Sequence, residues 1–235
     1  MNIFKLILED FRAVRQGDPA FRHYGELLFN YPGVWALFWY RIAHALHKAG
    51  LKLIARWISG IGQALTFVDI HPGAHIGRRV FIDHATGIVI GETTEIGNDV
   101  MIYQQVTLGG VSSSKGKRHP TIGDGVVIGA GAKILGNITV ESNAKIGANS
   151  VVIHNVPANS TAVGVPARVA ERIDDNAPLS HNIMPDIDQK LFEYLLKRIA
   201  VLEHMLKTGD RSAMEKEDRE LDAVYRDFIE AMRQE

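Results

Sequence analysis

The 235-residue chain contains no cysteine. Disulfides and thiolate nucleophiles are therefore excluded, and cysteine usage leaves the compartment open. It also lacks an excess of either charge: 26 Lys and Arg stand against 27 Asp and Glu, a formal net charge of -1. That balance gives no electrostatic footprint for nucleic acid, and no nucleic-acid partner is expected. A long apolar run is missing too. The most apolar window, GVWALFWYRIAHAL, is interrupted by Arg41 and His44. It falls short of the roughly 20 residues a membrane span needs, so it reads as a buried helix. The opening MNIFKLILEDFR mixes acids and bases into its apolar stretch, unlike a secretory signal. No membrane association is expected, and the cytoplasm is the expected location. Finally, no serine lies in a GxSxG elbow.

What the chain does have is a period. Aliphatic residues fall every sixth position at Ile70, Ile76 and Ile82, then at Ile90, Ile96, Ile102 and Leu108, then at Ile122, Ile128, Ile134, Val140, Ile146 and Val152. A helix repeats at 3.6 and a strand at 2, so a period of six fits neither alone. It fits a parallel β-helix of triangular section, in which each hexad forms one flat side and one corner, and three hexads close a coil. The aliphatic residue points inward and stacks on its counterpart about 4.8 Å along the axis. Gly, Asn and Ala between them permit tight turns. Each coil buries its apolar face against its neighbours, as solenoids do.

The solenoid is expected over residues 68–170, in about five coils, ending at VGVPAR. Residues 1–67 read as an N-terminal α-helical domain capping the first coil, with a turn at GDPA. Residues 171–235 read as a C-terminal helical extension. There Phe192, Leu195, Ile199, Leu202 and Leu206 form an amphipathic stripe at heptad spacing. A second stripe follows at Leu221, Val224, Phe228 and Ala231. A helical hairpin is the expectation. Residues 210–235 carry nine acids and five bases, which reads as a solvated face.

The period loses step twice. Ile82 to Ile90 is eight residues, spanning DHATG, and Leu108 to Ile122 is fourteen, spanning GGVSSSKGKRHPT. Fourteen is two hexads plus two, or one hexad plus a loop of eight. The Gly, Ser and Lys content favours a protruding loop. A flat-sided coil offers little concavity, so chemistry is expected where it is irregular. Among Asp69, His71, Asp83, His84 and Glu92, His84 stands out because it lies in a break, beside an acid and ahead of a glycine. Asp69 lies 15 residues earlier. On a coil of 18 with two extra residues, it falls on a neighbouring coil and can orient the imidazole. Asp83 is a candidate substrate contact. Imidazole near its ordinary pKa of about 6.5 suits general-base work. With no activated protein nucleophile, direct transfer between two bound substrates is the natural route.

The segments DIHPGAHIG, DHATGIVIGET, VTLGG, RHPTIGDGVVIGAGAKILGNI, KIGANSVV and GVPAR closely resemble serine O-acetyltransferase, of the hexapeptide-repeat acyltransferase superfamily. The match runs over residues 68–169 and reaches back to GDPA. IGAGA and GVPAR are shared by all hexapeptide acyltransferases, whereas DHATG with RHP is specific. The resemblance implies a left-handed coil and transfer of acetyl from acetyl-CoA to the L-serine hydroxyl, the first step of cysteine biosynthesis. It implies His84 as general base with Asp69 as its partner, and Asp18, Asp83, Arg118 and His119 around the serine zwitterion. Gly110, Ala130 and Ala148 would flank the pantetheine arm and Lys145 a phosphate, with no metal. Homotrimers with sites between subunits are implied. Hexamers are in doubt because the N-terminal helical region is shorter than in long members. Feedback inhibition by L-cysteine is expected at the serine site. Long members dock into O-acetylserine sulfhydrylase through a terminal Ile; the last residues here are AMRQE, and that docking is expected to be absent.

Rival readings remain at this level. An acetyltransferase for a sugar, an antibiotic or another small alcohol would share the fold, co-substrate and base. A γ-class carbonic anhydrase would need three zinc-binding histidines, for which His71, His75 and His84 are candidates. A purely structural solenoid such as an ice-binding surface is opposed by the lack of a flat Thr array at spacing six. The side chains displaced at the two breaks are expected to converge on one acceptor pocket.

Overall fold

The computed structural model describes residues 3–170 and 187–208. They belong to two units, divided between Met184 and Pro185. The first begins with helices α1 (Ile3–Gly17), α2 (Pro32–Lys48) and α3 (Lys52–Thr66), with a 3-10 turn at Tyr24–Leu28 between α1 and α2. The buried helix expected over GVWALFWYRIAHAL lies within α2. Gly50, whose φ is 84°, separates it from α3. Gly50 N–H donates to His47 O, and Leu51 N–H to Leu46 O. These two bonds end α2 in a left-handed cap that only glycine adopts without strain.

Then follows the left-handed parallel β-helix, three faces of short strands in which each strand up to Val151–Val152 pairs in parallel with its counterpart one coil away. The first face holds Ile70, Ile90, Leu108, Ile134 and Val152; the second, Ile76, Ile96, Ile122 and Val140; the third, Ile82, Ile102, Ile128, Ile146 and Ala162. All are buried in one continuous core. Each inward row therefore stacks like residue on like residue at the strand spacing, which removes every side chain from water with little strain.

Paired strands such as Thr121 and Thr139 lie one regular 18-residue coil apart. Asp69 pairs with Val89, a coil longer by two. Glu95 pairs with Thr121, a coil longer by eight, so the second break is a loop of eight added to one ordinary hexad. A third loss of step, invisible as a motif, lies in the last coil: Lys145 pairs with Thr161, two residues short. An antiparallel strand, Ala167–Ala170, closes the third face.

Two of the three corners turn through left-handed residues stacked in columns. One holds Phe67, Gly87, Gln105, Gly131 and Asn149; the other holds Arg79, Asp99, Gly125, Asn143 and Asn159, all with φ between 55° and 79°. After the first residue of each column, the others donate their N–H down it, as Gly87 does to Phe67 O and Gln105 to Thr86 O. Asn and Gly are the residues that tolerate this conformation best, which explains the turn formers between the aliphatic positions.

The first coil would leave an open edge of backbone groups. Helices α2 and α3 satisfy it with side chains. Tyr40 Oη donates to Ala74 O at 2.7 Å and accepts from Ile76 N–H at 3.1 Å. Ser59 Oγ donates to Ile70 O at 2.7 Å. The imidazole Nδ1 of His44 bonds Pro72 O at 2.8 Å, and burial lowers the pKa of that ring. Arg41, buried in α2, donates to Ile76 O and Gly77 O at 2.6 Å and grips buried Asp10 of α1 through Nε and Nη2. The charges that break the apolar window thus fasten the helices to the coil. Phe81 seals the same junction against Val14, Leu27 and Val34.

The second unit, in its described part, is helix α4 (Ile187–Thr208). The stripe at Leu221, Val224, Phe228 and Ala231, the acidic face and the last residues lie outside the described residues.

Candidate active site

The first register break turns on two consecutive non-glycine residues in the left-handed region, His84 (φ 57°) and Ala85 (φ 55°). Tight three-residue turns accompany them: Ala85 N–H donates to Asp83 O, and Thr86 N–H to His84 O. Left-handed backbone costs about 1–2 kcal/mol per residue outside glycine. The two surplus residues are therefore held in strain, with the Ala85 methyl buried and His84 outside. The imidazole side chain is 72% exposed, and its Nε2 lies 3.8 Å from Asp83 Oδ2.

Around it gather acids and phenols. Burial is the main cause raising the Asp83 pKa; the Asp18 carboxylate adds to it and the His84 ring opposes it. Asp18 reaches this corner from the turn after α1. Its Oδ1 accepts from Ala20 N–H at 2.7 Å, and its Oδ2 accepts from Tyr31 Oη–H at 2.6 Å. Burial, then the Asp18 bond, raises the Tyr31 pKa, and Tyr103 is raised by burial and by both acids. Tyr31 and Tyr103 carry no motif and were not readable from spacing. Asp69 stands at the start of the first face, in register with Val89 and beyond the His84 corner.

A second cluster forms at a different corner, between the first face and the second. The eight-residue loop leaves the coil there and its return end is tied down. Lys117 Nζ donates to Thr93 O at 2.7 Å and pairs with Glu95 at 3.3 Å. Arg118 donates to Glu92 Oε2 at 2.7 Å and to Ser114 O at 3.0 Å. That bond holds the Glu92 carboxyl below its usual range. Thr93 organises the rest: its hydroxyl accepts from the N–H of Arg118 and of His119 and lies 2.8 Å from His119 Nδ1, while its own N–H donates to that nitrogen. Nδ1 is therefore the acceptor, and the neutral ring carries its proton on Nε2. Burial, then Arg118, lowers the pKa of His119 and favours that neutral form. Thr93 was missed in the sequence, because its role depends on a residue 26 positions away.

Two glycines make room for this ring. A Cβ on Gly91 would sit 2.0 Å from His119 Cδ2 and 2.1 Å from Nε2; one on Gly110 would sit 3.2 Å from Nε2. Gly110, expected beside the pantetheine arm, thus packs on Arg118 and His119. Gly91→Ala is expected to expel the His119 ring while leaving the coil folded. A normal melting profile with strongly reduced turnover would check this; unchanged turnover would disprove it.

Ala130 and Ala148 lie one above the other at the His84 corner, where Asn149 N–H donates to Ala130 O. Lys145 lies on the third face. The two breaks therefore do not meet within one chain: Asp18, Asp83 and His84 occupy one corner, and Arg118 and His119 another. The three histidines weighed as zinc ligands are also dispersed. His71 packs edge-on to His47 and His75 to His44, away from the His84 corner. Among the described residues no three metal-ligating side chains cluster.

A left-handed hexapeptide prism with an imidazole in one register break and a cationic loop in another has the architecture of the hexapeptide transferases. Residues 119–154 match the family model for bacterial transferase hexapeptide (six repeats). The chain is 50% identical over 210 residues to serine acetyltransferase of Bacillus licheniformis, covering 88% of this chain and 97% of that one. It superimposes on a solved serine acetyltransferase in complex with cysteine (TM-score 0.72, 47% identity, 77% of this chain and 70% of that one). It also superimposes on one in complex with CoA (TM-score 0.68, 49% identity, 72% and 69%). The chain belongs to the serine acetyltransferases.

Proposed function

We propose that this chain transfers acetyl from acetyl-CoA to the L-serine hydroxyl by direct attack, with His84 as general base. The serine oxygen bonds to the thioester carbonyl carbon while its proton passes to the imidazole. The tetrahedral adduct collapses by breaking the C–S bond, and the proton passes from His84 to the leaving sulfur. O-acetylserine and CoA thiol result. Asp69 orients the ring. Asp18 and Asp83 take the ammonium of the zwitterion; Arg118 and the Nε2–H of His119 take its carboxylate. Ala130 and Ala148, in the His84 column, suit the pantetheine arm, with Gly110 at its other wall and Lys145 toward a phosphate.

The observation that carries this reading is the division of charge between two corners. The acidic half-site and the cationic half-site complement a zwitterion, and a threefold ring of copies sets one corner of each subunit against the other corner of the next. The functional unit is accordingly a homotrimer with three composite sites. Helix α3 exposes Leu53, Trp57, Ile61 and Leu65, a stripe of the kind that subunit contacts cover. L-cysteine carries the same ammonium and carboxylate as serine and would compete for the same groups. No described helix is long and apolar enough to cross a membrane, and the proposed location is the cytoplasm.

The test has two arms. CoA release is expected with L-serine and not with sugar acceptors; the reverse preference would favour the rival acetyltransferase. His84→Ala and Arg118→Ala, each strongly impaired alone, are expected to regain full rate at about a quarter of the sites when co-expressed, because random rings place an intact corner of each type together once in four. No recovery in mixed rings would place both halves in one subunit.

A further inference from the structure

Helix α4 carries Phe192, Leu195, Ile199, Leu202 and Leu206 at alternating steps of three and four. These are the a and d positions of a heptad. All five are exposed, from 44% for Leu195 to 84% for Leu206, and Leu196 at the following e position is exposed as well. Helices in proteins draw most of their stability from packing an apolar face rather than from propensity, and the 22-residue α4 carries an apolar seam with a strong incentive to find a partner.

The flanking charges select that partner. In this register Arg198 falls at g and Glu203 at the e position of the next heptad. When two helices run parallel and unstaggered, each g residue lies against the partner's e residue five positions on. Arg198 then meets Glu203 on both sides of the seam. An antiparallel arrangement sets g against g and e against e, and along α4 it brings no opposite charges together. The sequence is therefore complementary to itself in one orientation only. We infer that α4 associates with α4 of further copies of this chain as a parallel, in-register coiled coil. The occupant of the apolar stripe is a second copy of the same helix. This inference is independent of the acetyl-transfer reading.

The absence of cysteine from the chain makes the test clean. Leu202→Cys puts a sole thiol in a d layer, where identical residues face one another in a parallel coil. Lys197→Cys puts it at f, on the outside. Full-length protein of each variant is treated with a short bismaleimide and run on denaturing gels. Leu202→Cys is expected to cross-link between chains roughly tenfold or more faster, because layer geometry raises the effective concentration of the paired thiols. Equal rates for the two variants, or no cross-linking in either, overturns the inference. In the Leu202→Cys background, Arg198→Glu is expected to slow cross-linking and a further Glu203→Arg to restore it. Slowing that the second change does not reverse overturns the parallel register.

Discussion

His84→Ala is expected to slow CoA release with L-serine by roughly 10² or more, with the fold intact. The size follows from the chemistry. A serine hydroxyl is a poor nucleophile at neutral pH, and general-base catalysis by one positioned imidazole is worth about that much. The selectivity follows from the structure. The His84 side chain is largely exposed in the chain and fills no part of the buried core, so its removal leaves no cavity. Alanine already occupies the neighbouring left-handed position, so the turn can accept the change. The loss should appear in kcat, because the charged ends of serine are assigned to other residues. A rate near that of the parent protein would remove His84 from its role. Retained chemistry with a raised KM would instead make it a binding group.

Arg41→Ala is expected to destabilise the chain by about 3–5 kcal/mol, the usual effect of removing one partner of a buried pair. The side chains of Arg41 and Asp10 are 4% and 2% exposed. Burial raises the pKa of Asp10 even with the guanidinium beside it. Without Arg41 that carboxylate is stranded, and the carbonyls of Ile76 and Gly77 lose their donors. Tyr40→Phe, which leaves Ala74 O and Ile76 N–H unpaired, should cost about 1–3 kcal/mol. Replacing Arg41 and Asp10 together by leucines should recover much of the single-variant loss, since the stranded charge disappears with its partner. Equilibrium denaturation of the three variants checks the order. Equal stability of Arg41→Ala and the parent would show that the helices are not fastened through this pair. Asp18 lies at the end of α1, so loosening the helical cap should also weaken serine binding.

Much of the coil was legible because its information is local. Each hexad states its own inward residue, and every aliphatic position from Ile70 to Val152 in the series lies in the core. The surplus at DHATG was legible for the same reason, since it shifts the phase of all that follows. The third loss of step was not, because Val152 to Val156 is too short a run to carry a phase. Thr93 and Tyr31 escaped because a hydroxyl becomes informative only when its partner is known, and His119 and Asp18 are distant in sequence.

The sequence by itself determined the repeat, the inward rows, the family and the residue types available for catalysis, because each hexad states its own inward residue and the motifs at the breaks are specific. Only the tertiary structure decided which corner each irregularity occupies. A corner is set by where a break falls in the count of faces around a closed coil: the first lies between the third face and the first, the second between the first face and the second, so their side chains stand on different edges of the prism. The separation of His84 from Arg118 in one chain, and the buried ion pair that holds the helices on the open end, both arise from closure of that coil.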